Sequence, residues 1–369
     1  MKRLLTLIMC ALLTCGATVS ASAQEKIQSD INGSNWMSTV NGTTPITAIN
    51  MPGTHDSASR YALPFNMISR TQSKSISGQL YSGVRYFDMR FELLDGEKLI
   101  AVHSITNCKR SFGFFAKNLT AEEIVDSCID FLKANPKETI LFQVREDDGD
   151  VGVELFNYFY ENCIKKNSDY WYTENRVPIL DEVRGKLVLL RVVDVDTYKF
   201  DDSNSGINFS RYPYIGGTET IDFRRRDIKK LSGETYAQMY VQDSYKIGGD
   251  AKWEAVTTFL ESDLNPSDFN ICLTSGTEPS TPFFNAKVIN PKLSKYEFKT
   301  GKTYGIIAMD FAAEELCEKI YMTNESIMTN TPEKATEYDN DSAYALFGRT
   351  LMLLRSAVEL LLSLFTRFV

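Results

Sequence analysis

Short apolar runs alternate with amphipathic stretches along most of this 369-residue chain, from about residue 44 to residue 330. The apolar runs have the length and composition of β-strands and lie at 46–51, 84–91, 99–103, 139–145, 187–193, 237–242, 270–274 and 304–309. Helical patterns lie between several of them, at 121–134, 153–165, 251–260 and 291–298. This alternation predicts an α/β fold with a largely parallel sheet, either open or closed into a barrel.

Polar residues gather at or just beyond the carboxyl ends of these predicted strands. They are His55, Asp56, Asp88, Arg90, His103, Arg145, Arg191, Asp243 and Asp310. A TIM-type barrel builds its active site at this face from several strand ends, and a doubly wound sheet binds ligands at the equivalent edge. The pattern indicates a shared site, although strand ends are also polar simply because solvent begins there.

The chain contains only two histidines, His55 and His103, and each ends a short apolar run. Histidine accepts and donates protons near neutral pH because its ordinary pKa is about 6.5. With Asp56, Asp88 and Arg90 beside them, the two have the composition of an acid–base site for a phosphate ester. Spacing alone leaves open the alternative that both are ordinary polar residues at strand ends.

The charge of the chain disfavours one class of partner. The formal net charge is −8, and removing the two positive charges of Lys2 and Arg3 with a leader would make it −10. Nucleic acids are bound largely through neutralisation of their phosphates, so we expect no nucleic-acid partner. Contact with a membrane would depend on local apolar or basic patches rather than on overall charge.

Five cysteines follow residue 23, namely Cys108, Cys128, Cys163, Cys272 and Cys317. Their number is odd, their spacing is wide and they include no CxxC pair. We therefore predict neither a disulfide framework nor a zinc site. Buried free thiols are expected, and one disulfide would also fit a protein outside the cytoplasm.

The start of the chain has the composition of a secretory signal over residues 1–23, with a basic beginning, an apolar stretch and an Ala-Ser-Ala ending. We expect cleavage before Gln24 and a secreted, periplasmic or cell-surface location. A lipoprotein signal cleaved before Cys15 is less favoured, because Thr14 stands where a smaller residue is usual.

The end of the chain changes composition twice. Residues 331–342 are polar and are interpreted as a linker, and residues 343–369 are predicted to form an apolar amphipathic helix with one narrow polar stripe. Arg355 and Glu359 lie within that helix and argue against a membrane span. Packing on the main domain and an interfacial position on a membrane both remain open.

A series of short motifs resembles, in order, those of the bacterial phosphatidylinositol-specific phospholipases C. They are MPGTHDS (51–57), GVRYFDMR (83–90), VH (102–103), NPKETI (135–140), GKLVLLR (185–191), VQDSYK (241–246), PFF (282–284), INP (289–291) and AMDF (308–311). The ordered set is far more specific than any single motif. The resemblance implies an irregular (β/α) TIM-type barrel over residues 24–330, with its active site at the carboxyl ends of the strands.

The resemblance also implies cleavage of phosphatidylinositol, without metal or other cofactor, to diacylglycerol and inositol 1,2-cyclic phosphate. One histidine takes the proton of the inositol 2-hydroxyl, which attacks the neighbouring phosphate, and the other protonates the departing diacylglycerol oxygen. By match of motif, His55 is the base and is oriented by Asp310, while His103 is the acid and pairs with Asp56. A hydroxyl held beside the phosphate makes the attack intramolecular, worth about 7–11 kcal/mol at best.

Arg90 stands where calcium-dependent relatives carry an acidic residue, so the resemblance implies a guanidinium in place of a metal ion. Its fixed fork of donors can meet two phosphate oxygens at once. Asp88 is expected to be a hydrogen-bond partner of Arg90 or of the attacking hydroxyl. The acidic run DDGD (147–150) is interpreted as a solvated turn rather than as a cation site.

Inositol recognition is expected of Arg145, Asp243 and Tyr245. Asp243 can accept hydrogen bonds from two sugar hydroxyls, Tyr245 offers a flat face for the ring, and Arg145 stands where relatives carry a lysine. Arg191 lies one position from the family's arginine in the simplest alignment, so a binding role and a structural role both stay open.

Two loops are candidates for transient contact with a membrane surface, KRSFGFF (109–115) and residues 279–285 with Phe283 and Phe284. Aromatic side chains beside basic ones suit a lipid–water interface, whereas ordinary core packing is the alternative for each loop. The basic run at 224–226, with Lys229 and Lys230, is interpreted as a solvated surface.

Two other functions remain compatible with the residues. One is a secreted barrel that binds inositol or another phospho-sugar without turnover. The other is a phosphodiesterase of the same fold for another substrate, which would usually rely on a carboxylate-bound metal. Phosphatidylinositol, a glycosylated anchor and an inositol glycan fit the pattern equally, and the oligomeric state is not specified.

Overall fold

The computed structural model describes residues 30–338 except 64–65, 114, 148–149, 214–220 and 278–280. It divides the chain into two compact units, Met1–Thr336 and Glu337–Val369, and the architecture given below is that of the first. The predicted signal (1–23) and the predicted C-terminal helix (343–369) lie outside the described residues. Within the described ranges, no helix has the length and apolar character required to cross a bilayer.

Parallel strands enclose a central core. The strands are β1 (Met51–Thr54), β2 (Ala62–Leu63), β3 (Tyr86–Leu94), β4 (Lys98–His103), β5 (Thr106–Cys108), β6 (Ile140–Glu146), β7 (Trp171–Tyr172), β8 (Leu187–Arg191), β9 (Ile207–Asn208), β10 (Phe223–Lys229), β11 (Thr235–Gln242), β12 (Phe269–Leu273) and β13 (Ile306–Met309). Their main order is β10-β11-β12-β13-β1-β3-β6-β8-β9, and neighbours along it are parallel except for β10 with β11.

This path is an incompletely closed barrel. Among the residues that the structure describes, no backbone ladder joins β9 to β10. The Asn208 side-chain amide crosses the seam instead and donates to the Lys229 carbonyl over 3.1 Å. The predicted α/β architecture with a mostly parallel sheet is confirmed, and the gap at this seam makes the barrel irregular.

Helices lie between successive strands. The α-helices are α1 (Asn66–Ser69), α2 (Ile76–Tyr81), α3 (Ala121–Ala134), α4 (Gly152–Phe159), α5 (Leu180–Val183), α6 (Gly249–Glu261), α7 (Pro282–Lys295) and α8 (Glu314–Tyr321). Shorter 3₁₀ turns lie at Trp36–Thr39, Ile46–Ala48, Ser59–Tyr61, Lys165–Tyr170 and Met322–Ile327, and a π-helical turn lies at Tyr160–Ile164. The five cysteines after residue 23 are buried and unpaired, as expected.

Side-chain alternation along the strands separates two cores. The interior core includes Met51, Tyr86, Leu141, Val188, Leu190, Met239, Val241, Ile306 and Ala308. The outer core, shared with the helices, includes Phe87, Met89, Phe142, Leu187, Leu189, Cys272 and Ile307. Because successive strand residues point to opposite faces, each inner row continues past its strand at every second residue. Those rows bring His55, Arg90, Arg145, Asp243 and Asp310 to the carboxyl end of the barrel.

The first strand lies later in the chain than expected. The prediction of a strand at 46–51 is wrong, since Ile46–Ala48 is a 3₁₀ turn and β1 begins at Met51. Proline cannot donate to a ladder, yet Pro52 lies within β1. Here its carbonyl accepts from Arg85 over 2.9 Å, and the register of β1 with β3 starts only at Gly53. A side chain at Gly53 would come within 2.8 Å of the Tyr86 ring, so the close approach of these strands requires glycine.

Two predicted helices also need correction, and β10 is one of the strands that were not predicted. The helix expected at 291–298 is Pro282–Lys295, with Pro291 inside it, and the helix expected at 153–165 changes to π geometry after Phe159. The basic run at 224–226 lies in the antiparallel strand β10. Its consecutive charged residues give no alternation of apolar and polar side chains, so the sequence did not indicate a strand. Its arginines nevertheless lie on the surface as expected, and Arg224 pairs with Asp222 over 2.6 Å.

A buried ion pair closes the opposite, amino-terminal end of the barrel. Arg85 is fully buried and donates to Glu138 over 2.6 and 2.9 Å, and also to the Gly33 carbonyl over 2.7 Å. Glu138 in turn accepts from the backbone of Met37 and Ser38 at 3.3 and 3.0 Å. The pair therefore ties the segment before β1 to the start of β6.

We expect Arg85→Met to lower the free energy of unfolding by about 3–5 kcal/mol, because it leaves the Glu138 carboxylate buried without a counter-charge. The double variant Arg85→Met/Glu138→Gln should recover part of this loss. Urea denaturation followed by circular dichroism measures both. A double variant less stable than the single one would contradict this role for the pair.

Candidate active site

A pocket of about 430 Å³ opens at the carboxyl end of the barrel. Seven of the residues expected at the site line it, namely His55, Arg90, His103, Arg145, Asp243, Tyr245 and Asp310. Asp56 and Asp88 are buried beside it and bind Arg90. The structure thus brings together all the predicted site residues except Arg191.

Arg191 points away from the pocket. It shares a face of β8 with Leu187 and Leu189, which belong to the outer core, whereas Val188 and Leu190 face the interior. Its guanidinium donates to the carbonyls of Ser205 (2.9 Å from Nε) and Val193. The expectation of a binding role is therefore corrected in favour of a structural one, and the interior position beside it is Val192.

His55 has two different environments at its two nitrogens. Its Nδ1 lies 2.9 Å from Asp310 Oδ1, and its Nε2 lies 2.9 Å from Nη2 of Arg90. Arginine can only donate, so Nε2 accepts and Nδ1 carries the proton given to Asp310. Burial and the Arg90 charge hold the pKa of His55 well below its ordinary value. The ring is therefore neutral near pH 7, and Nε2 is its unprotonated nitrogen.

His103 is arranged in the opposite sense. Its Nδ1 lies 2.6 Å from the Ser69 carbonyl, which can only accept, so Nδ1 carries a proton. Its Nε2 faces a carboxylate, 3.1 Å from Asp56 Oδ2. The two imidazole rings lie edge to face with centroids 6.2 Å apart. The Nε2 atoms of both rings thus contact the same carboxylate oxygen, and that of His55 also accepts from the Arg90 guanidinium.

Asp56 lies between the two histidines. Its Oδ2 is 3.1 Å from Nε2 of both rings, and its Oδ1 is 2.6 Å from Nε of Arg90. Burial raises the pKa of Asp56 to about 6, even though Arg90 and His103 act in the other direction. Its backbone has φ of 41°, a left-handed conformation that costs energy outside glycine and is frequent at functional sites.

Two side chains, those of Thr71 and Gln72, hold the strained turn at Asp56 in place by hydrogen bonds to its carbonyls. Thr71 donates to the carbonyls of His55 and Asp56 over 3.1 and 3.0 Å. Gln72 donates to the carbonyls of His55 (2.8 Å) and Met309 (2.9 Å), and so joins the ends of β1 and β13. These bonds hold His55 opposite Asp310.

Arg90 is the centre of the charged network. Besides Asp56, it binds Asp88 Oδ2 at 3.1 Å and Asp147 Oδ1 at 3.2 Å. Burial raises the pKa of Asp88, but the charges of Arg90 and Arg145 outweigh it and leave that pKa below its ordinary value. Asp88 is further held by Gln143, which donates to it over 2.8 Å.

The same group of side chains has the spacing of a metal site. His55, Asp56 and Asp88 each offer a ligand atom, and these atoms lie within 4.8 Å of one another. All three residues contact the guanidinium of Arg90, at 2.9, 2.6 and 3.1 Å. A metal ion would have to displace that cation or bind beside its positive charge. The atoms that could bind a metal ion are therefore already paired with the Arg90 guanidinium.

Asp147 is a site residue that the sequence interpretation missed. Its side chain is 6% exposed, and besides Arg90 it accepts from the backbone N–H of Ser104, next to His103. The interpretation of 147–150 as a solvated turn is thus wrong for Asp147. It lies two residues beyond Arg145, so the alternation that places Arg145 in the pocket would also have placed Asp147 there.

The far side of the pocket contains Asp243 and Tyr245, both on the loop after β11. Burial raises the pKa of Asp243 to about 6, against the opposing charges of Lys252 and Arg145. The Tyr245 carbonyl accepts from the Thr277 N–H over 2.8 Å, which joins this loop to the one after β12. The wall therefore offers a carboxylate, a cation and an aromatic ring to a polar ligand.

Comparisons with known proteins agree with the resemblance. No protein-family model matches the chain. A 1-phosphatidylinositol phosphodiesterase of Staphylococcus aureus (strain Newman) is 29% identical over 295 residues, which cover 75% of this chain and 88% of that protein. One of Listeria monocytogenes is 29% identical over 346 residues, which cover 88% and 98%.

Solved structures give the same result for the fold. The structure of a phosphatidylinositol-specific phospholipase C from S. aureus matches with a TM-score of 0.63 and 26% identity, covering 80% of this chain and 98% of that one. The corresponding L. monocytogenes enzyme matches in fold with a TM-score of 0.59, at 22% identity, over 80% and 99% of the two chains. In sequence and in fold, this chain is similar to bacterial phosphatidylinositol-specific phospholipases C.

Proposed function

We propose that this protein cleaves phosphatidylinositol, or a lipid with the same inositol phosphate linkage, to diacylglycerol and inositol 1,2-cyclic phosphate. The observation that carries the proposal is the difference in hydrogen bonding between its two histidines. Both Nε2 atoms lie 3.1 Å from Asp56 Oδ2, but His55 Nε2 in addition accepts from Arg90. A neutral base and a proton donor on either side of one pocket are what an intramolecular transfer at phosphorus requires.

In the reaction, the inositol 2-oxygen forms a bond to phosphorus while its proton passes to His55 Nε2. The bond from phosphorus to the diacylglycerol oxygen breaks, and His103 gives that oxygen a proton. Asp310, 2.9 Å from Nδ1, keeps His55 in the required tautomer and stabilises the imidazolium that forms. Each correctly placed proton transfer contributes roughly 10²–10⁴-fold to the rate.

Arg90 stabilises the charge that develops on the phosphate. Its Nη2 donates to His55 in the structure, and the substrate hydroxyl takes that place on Nε2. The freed N–H then faces the phosphate oxygens, while Asp56, Asp88 and Asp147 hold the guanidinium plane fixed. Preorganised donors of this kind typically contribute about 10²–10³-fold.

The inositol ring is held by the opposite wall. Asp243 accepts hydrogen bonds from its hydroxyls, Tyr245 lies against its face and Arg145 supplies a cation beside the phosphate.

Membrane contact occurs through exposed aromatic residues of the two loops named above. Phe112 is 64% exposed, Phe115 is fully exposed and Phe284 is 55% exposed, which favours the membrane interpretation over core packing for these three residues. Phe283, by contrast, packs against Phe311 with ring centroids 5.4 Å apart. The secretory signal expected at residues 1–23 would deliver the enzyme to the outside of the cell.

Phosphorus NMR of purified protein with phosphatidylinositol in mixed micelles and excess EDTA tests the reaction. We expect a transient inositol 1,2-cyclic phosphate signal that is absent for His55→Ala and His103→Ala.

Arg90→Lys keeps the positive charge but loses the planar pair of donors, and its rate of cleavage should fall about 10²–10³-fold. A near-wild-type rate for Arg90→Lys would remove Arg90 from the mechanism. Turnover only with added metal would favour a different phosphodiesterase, and binding without turnover would favour a phospho-sugar-binding protein.

Affinity for the competitive ligand myo-inositol should weaken as the pH falls through about 6. The Asp243 carboxyl, with its pKa raised to about 6, is then protonated and loses its capacity to accept from two hydroxyls. Inhibition constants measured between pH 5 and 8 test this, with Asp243→Asn as the variant that should bind weakly at every pH. A pH-independent constant for the wild-type protein would show that Asp243 does not bind the ring as a carboxylate.

Phe112→Ser/Phe115→Ser should bind phospholipid vesicles several-fold more weakly than the wild-type protein, because two interfacial side chains are lost. Hydrolysis of a soluble inositol phosphodiester by this variant should be unchanged. Ile179→Ser, at an exposed apolar residue of the amino-terminal end, is the matched control. Equal vesicle binding by all three proteins would place the membrane contact elsewhere.

A further inference from the structure

Gln143 is a buried polar residue beneath the pocket whose role the chemistry proposed above leaves unexplained. It lies on β6, two positions after Leu141 and two before Arg145, so its side chain belongs to the interior row of that strand. It is buried and does not line the pocket. A buried amide is costly unless it is hydrogen-bonded, so the partners of Gln143 indicate its role.

Both ends of the Gln143 amide have a partner on the neighbouring strand β3. Its Nε2 donates to Asp88 Oδ1 over 2.8 Å, and its Oε1 accepts from the Tyr86 hydroxyl over 2.9 Å. Asp88 is also the residue directly opposite Gln143 in the register of the two strands. Tyr86 and Asp88 are buried, so solvent does not compete for these bonds.

The carboxylate of Asp88 fixes the direction of both bonds. An ionised carboxylate can only accept, so the Gln143 amide must present its nitrogen to Asp88 and its oxygen to Tyr86. The Tyr86 hydroxyl must then donate, and burial keeps it protonated by raising its pKa well above the ordinary value. Tyr86 thereby prevents the amide from turning its oxygen towards the carboxylate.

Asp88 connects Gln143 to the catalytic base. The bond from Gln143 occupies Asp88 Oδ1, and Arg90 Nη2 binds Oδ2 at 3.1 Å. That same Nη2 donates to His55 Nε2 over 2.9 Å. A rotated Asp88 carboxylate would therefore release Nη2 from its place beside the base. The contacts form one continuous path from the Tyr86 hydroxyl to the imidazole.

Charged side chains from several elements surround the Gln143–Asp88 pair. Those acting on Asp88 or on Tyr86 come from β3, β6, the end of β1 and the loop after β11, and they are Arg90, Arg145, His55 and Asp243. The two arginines favour the ionised form of Asp88. Gln143 adds a neutral donor, whose hydrogen bond fixes the direction of the carboxylate rather than its charge.

We propose that Gln143 is a positioning residue that holds the Asp88 carboxylate so that Arg90 stays against the catalytic base. The Tyr86 hydroxyl in turn fixes the orientation of the Gln143 amide. Gln143 touches neither the substrate nor the reacting atoms. The inference deepens the proposed function and rests on it for the roles of Arg90 and His55.

Three substitutions test these contacts separately. Gln143→Met removes both the donor and the acceptor, Gln143→Glu replaces the amide by a carboxyl group, and Tyr86→Phe removes only the hydroxyl. Gln238→Met and Gln238→Glu are the matched controls. Gln238 also donates to the aspartate directly opposite it on the next strand, Asp227, over 3.1 Å, but it lies on β11 away from the pocket.

We expect kcat for a soluble inositol phosphodiester at pH 7 to fall about 10–100-fold in Gln143→Met, because small displacements of catalytic groups have effects of this size. Tyr86→Phe should have a smaller effect alone and none when added to Gln143→Met, since the hydroxyl acts only through the amide. The carboxyl introduced by Gln143→Glu can donate to Asp88 only while it is protonated. Its rate relative to the wild-type protein should therefore be highest at about pH 5 and fall about tenfold or more towards pH 8.

Nitrogen-15 NMR of the two histidines provides a measurement that needs no turnover. When Arg90 is no longer held in place, His55 Nε2 loses its donor, so His55 should titrate at higher pH in Gln143→Met than in the wild-type protein and Gln238→Met. If Gln143→Met does not fold, Gln143→Glu, which has nearly the shape of glutamine, carries the test through its pH profile.

Two results would overturn the proposal. One is that the Gln143 variants have the rates and histidine titrations of the Gln238 controls. The other is a rate for Gln143→Glu that is equally low at every pH, which would reduce Gln143 to a structural role. Failure of the wild-type protein to cleave phosphatidylinositol would instead count against the proposed function, since the histidine titrations are read independently of turnover.

Discussion

The contact between the Arg90 guanidinium and His55 Nε2, 2.9 Å long, determines what the rest of the site can do. Burial and this permanent cation lower the pKa of His55, which keeps the imidazole neutral at pH 7 with its unprotonated nitrogen beside Arg90. The cation can remain there, in a buried site, because three carboxylates bind it on its other edges. One of them, Asp56, also lies 3.1 Å from Nε2 of both histidines, so the same network contacts both rings.

This network also explains how the chain presents the geometry of a metal site while using an arginine. The ligand atoms of His55, Asp56 and Asp88 converge as they would around a cation. A guanidinium supplies a fixed positive charge and directional donors, and it cannot be removed by a chelator. The positive charge of this site therefore comes from the Arg90 side chain rather than from a bound ion.

Much of this arrangement was predictable from one rule of strand geometry. Polar residues placed two, four or six positions beyond an interior residue continue the inner rows, and His55, Arg90 and Asp310 all satisfy this condition. The same rule excludes Arg191, which shares the outward face of Leu187 and Leu189. It also includes Asp147, which was interpreted as part of a surface turn because of the acidic residues around it.

Other parts of the site have no signal in the sequence. The Ser69 carbonyl that fixes the tautomer of His103 is a backbone group, and its approach depends on how the chain between β1 and α2 folds. Lys252 occurs in a helix whose composition shows nothing unusual, and only tertiary packing buries it against Gln242 and Ser244. Pro52 lies inside β1 because the pairing of this strand requires no hydrogen bond from the N–H that proline lacks. Residue propensities alone do not indicate this. These features depend on long-range contacts rather than on local pattern.

Since the chain has only two histidines, nitrogen-15 NMR of histidine-labelled protein measures the central feature directly. The spectrum is recorded at pH 7, and the His103→Ala variant identifies the signals of His55. We expect His55 to be neutral, with a protonated Nδ1 and a bare Nε2, as its contacts with Asp310 and Arg90 require. An imidazolium at His55, or a neutral ring with its proton on Nε2, would contradict the assignment of His55 as the base.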